Sequence, residues 1–220
     1  MDKVVTGAQS ADRGRCWIPL RLKPPCADAQ RSATAVGEVS LIIARRTAAA
    51  VRMGGVARPR PQAPGPGQES VWDYPRPPRA ERVRRRAVLR YGGVVVADTD
   101  DLVRVLETSH PPTYYLPRQA FGEHLVPGER TTVCEWKGVA RYVDVVVADA
   151  PPLREVGWWY PRPHPRYPSL NDRVAVYPGP FESVTLDGER VLPQPGGFYG
   201  GWITAEVVGP FKGEPGTWGW

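Results

Sequence analysis

Thr131-Thr132-Val133-Cys134-Glu135-Trp136-Lys137-Gly138-Val139-Ala140-Arg141-Tyr142-Val143-Asp144-Val145-Val146-Val147 is the stretch whose reading decides the fold. It is rich in β-branched and aromatic residues, which predicts one long or bent strand. The two-residue period of a strand places Cys134, Trp136, Ala140 and Tyr142 on one face, and Glu135, Lys137 and Arg141 on the other. Gly138 interrupts the pattern. A glycine inside a strand marks a bulge or a close backbone approach, and a bulge here turns Lys137 toward the side of Trp136.

The same reading extends in both directions. Downstream, Pro151-Pro152 breaks the strand and Trp158-Trp159-Tyr160 begins another. Val174, Val176 and Tyr177 make a further strand, and Asp187-Gly188 between two short apolar runs is a hairpin signal. Upstream, Val88 to Val96 with Gly92-Gly93 in its middle reads as two strands meeting at a tight turn. Asp98 or Thr99 then caps a short helix near 99–108. Asp100 and Asp101 stand in its first turn, and Leu102, Val103, Val105 and Leu106 form its buried stripe. Pro111-Pro112 forbids that helix from continuing, and Tyr114 to Pro117 forms a short extended segment. Short strands at intervals of about ten residues, with one weak helix, predict an all-β or β-dominated fold of antiparallel sheets.

The 220 residues suffice for one substantial domain and a tail. Their charge is uneven. Residues 1–90 carry 18 Lys or Arg against 7 Asp or Glu, whereas residues 91–220 carry 11 against 16. The basic excess thus belongs to the N-terminal part, and no nucleic-acid partner is expected for the folded part. The expected organisation is a disordered tail and linker over 1–68, an aromatic and proline-rich arm over 69–85, a β domain over 86–195, and a glycine- and aromatic-rich C-terminal extension over 196–220 that wraps on the domain. Met1 and Met53 are the two methionines, so Met53 is an alternative start, with 1–52 an upstream extension. Neither a signal peptide nor a membrane-length apolar run is read, and three cysteines without a disulfide or zinc spacing fit a cytoplasmic setting.

Chemistry-bearing residues gather around the opening stretch. Lys137 beside an aromatic wall suits an anionic or planar ligand. Glu107, at the end of the expected helix, opposes its dipole and needs a partner such as Lys137, an arginine or a ligand. Cys134 has no histidine placed to activate it and reads as a core thiol. Asp98, Asp100 and Asp101 lie too close to Gly92-Gly93 for a phosphate-binding helix between them, so they read as caps, and no metal site is expected. No P-loop, dinucleotide fingerprint or Gly-x-Ser-x-Gly motif is present, which leaves the cofactor unknown. The expected pocket is Glu107, Tyr114, Tyr115, Trp136, Lys137 and Tyr142, with Trp159 or Tyr160 at its rim, and Glu107 and Lys137 are its polar pair.

Gly92 to Asp98, Leu106-Glu107-Thr108, Tyr114-Tyr115-Leu116-Pro117, Cys134 to Tyr142 and Val174 to Pro178 occur in an order that resembles the bacterial and fungal domain-of-unknown-function family numbered 427, sometimes given a nucleotidyltransferase-like label. Glu69 to Pro75 and Phe198 to Gly216 look like an actinobacterial subgroup. The resemblance spans about Arg86 to Leu192 and implies a compact β fold with a single cavity. Three readings follow: a small-molecule-binding β domain, a protein-interaction or homodimerisation module that uses the aromatic arms, and nucleotidyl transfer, for which the residues offer no motif.

Overall fold

The structure is a computed structural model and describes residues 59–217 and 219–220. The expectations for the tail up to residue 58, including a start at Met53, lie outside the described residues. The strands in chain order are β1 (Glu69–Ser70), β2 (Arg79–Tyr91), β3 (Val94–Leu106), β4 (Thr113–Pro117), β5 (Leu125–Cys134), β6 (Gly138–Val145), β7 (Leu153–Trp159), β8 (Arg173–Val176), β9 (Ser183–Leu186), β10 (Glu189–Arg190), β11 (Leu192–Pro193), β12 (Trp202–Ile203) and β13 (Val207–Val208). The helical segments are 3-10 turns at Arg118–His124 and Pro168–Leu170.

One antiparallel sheet of nine strands dominates, in the order β10-β9-β2-β3-β4-β8-β7-β6-β5. β2 and β3 meet at Gly92-Gly93, whose φ values of 59° and 74° are the left-handed geometry of a tight hairpin turn. Asp187-Gly188 joins β9 to β10 in the same way. The fold class is therefore β-dominated, as expected.

Two local expectations are corrected. Residues 99–108 form no helix: Val94–Leu106 is a long strand paired along its length with β2. Its acids are not caps but cross-strand ion-pair partners. Asp98 meets Arg86 at 2.7 Å, Asp100 meets Arg84 at 3.8 Å, and Asp101 meets Arg173 at 2.6 Å. Six arginines of the supposedly tail-borne excess (Arg79, Arg82, Arg84, Arg85, Arg86 and Arg90) are in fact in β2, which starts at Arg79 rather than near Arg86. Opposite charges facing each other across a ladder favour this pairing, and a cap signature read from one strand alone cannot register it. The second correction concerns 131–147. The stretch is a hairpin, β5 to β6, with Cys134 opposite Gly138 and Glu135-Trp136-Lys137 as its loop. Gly138 has φ of 101°, so it closes a turn instead of making a bulge.

Both faces of the sheet are covered. Along β4, Tyr114 and Leu116 enter one apolar cluster with Leu89, Leu102, Val143, Val174, Val176 and Trp202. Tyr115 points to the opposite face, into a cluster with Val103, Val105, Ala140, Tyr160 and Ala175. Burial on both sides explains why β4 and β8 read as continuous apolar runs. Chain from beyond the hairpin strands completes the packing: Trp202 is fully buried and its indole N–H donates to the Val176 carbonyl at 3.3 Å. Val71, Tyr74, Leu106 and Val207 form a third cluster beneath the paired β1 and β13. Among the described residues no helix is long and apolar enough to cross a membrane.

Truncating Trp202 to alanine removes the largest fully buried side chain. The expected loss is about 3–5 kcal/mol of unfolding free energy, measured by urea denaturation. A loss under about 1 kcal/mol would show that the C-terminal segment is not integral to the core.

Candidate functional site

Sheet register assembles the site. Val103 pairs with Tyr115, Tyr115 with Ala175, Ala175 with Trp158, and Trp158 with Tyr142. These five positions form one row across five strands, all on the same face. The small Ala175 leaves room between the rings on either side. Tyr115 and Trp158 meet edge to face with centroids 6.4 Å apart, and the Trp158 N–H donates to the Tyr115 hydroxyl at 3.3 Å. Tyr160 stands 6.4 Å from Tyr115. Burial pushes the phenols of Tyr115 and Tyr160 well above the usual tyrosine range, so both stay protonated donors.

Tyr115, Trp158 and Tyr142 of this row line a cavity of about 300 Å³. The β5–β6 loop supplies one wall. Trp136 and Lys137 both line the cavity, and the Lys137 carbonyl accepts the His164 backbone N–H at 3.0 Å, which pins the loop. Lys137 is 9% exposed, and its ammonium has no hydrogen-bond or ion-pair partner among the described residues. The Trp136 indole nitrogen beside it is shielded from solvent and likewise has no partner there.

Further lining comes from three separated pieces of chain stitched together at Ser109. Its N–H donates to the Val71 carbonyl at 2.9 Å, and its carbonyl accepts the Lys212 N–H at 2.9 Å. Around this knot stand Arg76, Glu107, His110 and Lys212. Glu107 pairs with Arg76 at 3.2 Å. Nδ1 of His110 lies 2.9 Å from the Thr108 carbonyl, which fixes Nδ1 as the protonated nitrogen and leaves Nε2 as the acceptor of the neutral ring. Burial lowers the His110 pKa below its ordinary value of 6.5, against the pull of Glu107 and with the push of Lys212 and Arg76. Lys212 is pulled below its ordinary value, first by desolvation and then by Arg76, while its ammonium donates to the Trp220 carbonyl at 2.8 Å. Gly200 forms part of the roof. A Cβ there would lie 2.2 Å from the Trp158 ring, so only glycine lets the segment pack onto it.

Of the eight residues expected from sequence, Glu107, Tyr115, Trp136, Lys137, Tyr142 and Tyr160 line this cavity. Tyr114 and Trp159 do not. Tyr114 stacks on Trp202 at 5.1 Å on the other face, and Trp159 carries the Arg118 guanidinium at 4.0 Å from its ring centre. Each is one residue out of phase with a lining residue, and the strand period sends it through the sheet. Glu107 and Lys137 share the cavity, but the ion-pair partner of Glu107 is Arg76. Cys134 is half-buried: it packs against the core cluster that holds Tyr115 and Tyr160 and also lines the cavity. Arg76, His110, Trp158, Tyr199 and Lys212 were not anticipated. Trp158 was legible from strand alternation, two residues from the expected Tyr160; the others come from loops and arms, where no period applies.

The family model NTP_transf_9, a domain of unknown function (DUF427), matches residues 79–188, half of the chain. None of the curated proteins matches the chain.

His110 generates a pH prediction. Between its lowered folded pKa and 6.5 the unfolded chain binds the proton that the folded chain resists, so its contribution to stability is present above 6.5 and is lost as pH falls. Glu107, Arg76, Lys212, Tyr199 and the Ser109 hydroxyl are the groups facing it. The melting temperature of the wild type is expected to drop more steeply from about pH 7 to about pH 5 than that of His110→Gln. Parallel curves would contradict a neutral buried His110.

Proposed function

We propose a function for a chain that belongs to the DUF427 family: it binds a small planar molecule bearing a carboxylate or similar anionic group in the aromatic cavity. The carrying observation is the pair of adjacent donors on the β5–β6 loop, the Lys137 ammonium and the Trp136 indole N–H, neither with a partner among the described residues. An ammonium beside aromatic surface is favoured by a counter-charge, and a carboxylate that takes both donors supplies one. Tyr115, Trp158 and Tyr142 offer ring faces and edges to a flat ligand, and the cavity volume matches the lower end of small-molecule sites.

Nucleotidyl transfer has less support. Asp98, Asp100 and Asp101 are tied to arginines of the sheet, and among the described residues no group of three or more His, Cys, Asp or Glu side chains is placed to hold a metal ion. Protein association is favoured by one observation, the cross-strand pair Val133 and Val139 on the edge hairpin, which are 80% and 53% exposed. Light scattering over a concentration series tests it.

The binding reading is tested by thermal shift and calorimetry with naphthalene-2-carboxylate, its neutral carboxamide, and AMP and ATP with and without Mg²⁺. The carboxylate is expected to stabilise the wild type and the amide to do so far less. Lys137→Ala is expected to weaken carboxylate binding by roughly tenfold or more, the scale of one charge-assisted hydrogen bond. Equal binding to wild type and variant would sink the reading.

A further inference from the structure

The described chain contains two lysines, Lys137 and Lys212, against a much larger number of arginines. Most arginines of the sheet are spent on carboxylates: Arg82, Arg84, Arg85, Arg86, Arg104, Arg130, Arg154 and Arg173 all form salt bridges. The lysines behave differently. Both are largely buried, at 9% and 6% exposure, neither pairs with an Asp or Glu side chain among the described residues, and both line the same cavity. They enter it from different pieces of chain. Lys137 is carried by the β5–β6 loop, and Lys212 by the C-terminal segment that bonds to Ser109.

From this distribution we infer that the cavity has two anion-binding ends, and that its ligand is a planar molecule with two acidic groups, one held at Lys137 and the other at Lys212. The inference rests on the binding reading above and extends it to the substrate class.

The second end is built for an acidic group. Lys212 spends one N–H on the Trp220 carbonyl, which leaves two of its three donors for a ligand. Arg76 adds positive charge, although Glu107 takes part of it. The neutral His110 ring, fixed through Nδ1, keeps Nε2 to accept a hydrogen bond from a hydroxyl next to the acid. Tyr199 packs against His110 with ring centres 4.6 Å apart, and Lys212 stands 5.8 Å from the Tyr199 ring. Arg76, Tyr199 and Lys212 all lie outside residues 79–188. The first end thus belongs to the shared family domain, whereas the flanking arms of this chain contribute the second and so set how its ligand differs. Lysine suits both places because a compact ammonium can turn its donors toward a ligand, while arginine's fixed fork would already be committed to a carboxylate.

The test uses the full chain and calorimetric titration with matched pairs: benzoate against the benzene 1,3- and 1,4-dicarboxylates, and naphthalene-2-carboxylate against naphthalene-2,6-dicarboxylate. At least one diacid is expected to bind the wild type roughly tenfold tighter than its monoacid, the increment of a second charge-assisted contact. Lys212→Gln is expected to bring that ratio to about one, whereas Lys137→Ala weakens monoacid and diacid alike. Lys212→Arg and a thermal melt of each variant separate lost contacts from lost folding, and the wild-type comparison needs no variant. If the monoacids bind in a Lys137-dependent way but no diacid binds tighter, the second end is refuted and the binding reading stands. If neither monoacids nor diacids bind, both fall. An unchanged ratio in folded Lys212→Gln also overturns the inference.

Discussion

Cross-strand register is the constraint on which this structure depends. The row from Val103 through Tyr115, Ala175 and Trp158 to Tyr142 joins five strands, and it requires a small residue at its centre with rings on either side. A slip of one residue in any of these strands would exchange Tyr115 for Tyr114, or Trp158 for Trp159, and send the cavity floor into the opposite core. The core on the far face prevents such a slip, because Leu116, Val143, Val174 and Val176 are buried there together with the fully buried Trp202. The site and the stability of the domain are therefore set by the same pairing.

Charge is divided as clearly as the apolar surface. Arginine and carboxylate side chains alternate along β2 and β3 and satisfy one another at the sheet surface, where each exposed pair contributes little but the ladder as a whole disfavours other registers. Around the cavity stand Lys137, Lys212 and Arg76, the last paired with Glu107, among aromatic side chains. The knot at Ser109, which has φ of 70°, holds the arm, the 107–110 loop and the C-terminal segment in register, so cations from distant parts of the sequence reach one volume.

Much of this was legible beforehand, and the failures have physical causes. Gly92-Gly93 and Asp187-Gly188 announced their hairpins because left-handed backbone favours glycine wherever it occurs. Cys134, Ala140 and Tyr142 were placed on one face by simple alternation, and all three line the cavity. The helix expected near 99–108 failed because Asp98, Asp100 and Asp101 answer to Arg86, Arg84 and Arg173 on other strands of the sheet, a preference invisible from their own neighbourhood. Lys137 did come round to the side of Trp136, but through a turn at Gly138 rather than a bulge. Strand periodicity loses its meaning at such a turn.

The sequence by itself determined a β-dominated chain, the positions of its glycine turns, and a Trp-Lys-Gly stretch beside aromatic walls, because these follow from local backbone preference and the two-residue period. Only the tertiary structure decided which aromatic of each neighbouring pair faces the cavity, that Glu107 belongs to Arg76, and that Lys212 stands in the same cavity as Lys137. Those outcomes rest on contacts between residues far apart in the chain. Their energies come from pairing and burial, and no single segment carries them.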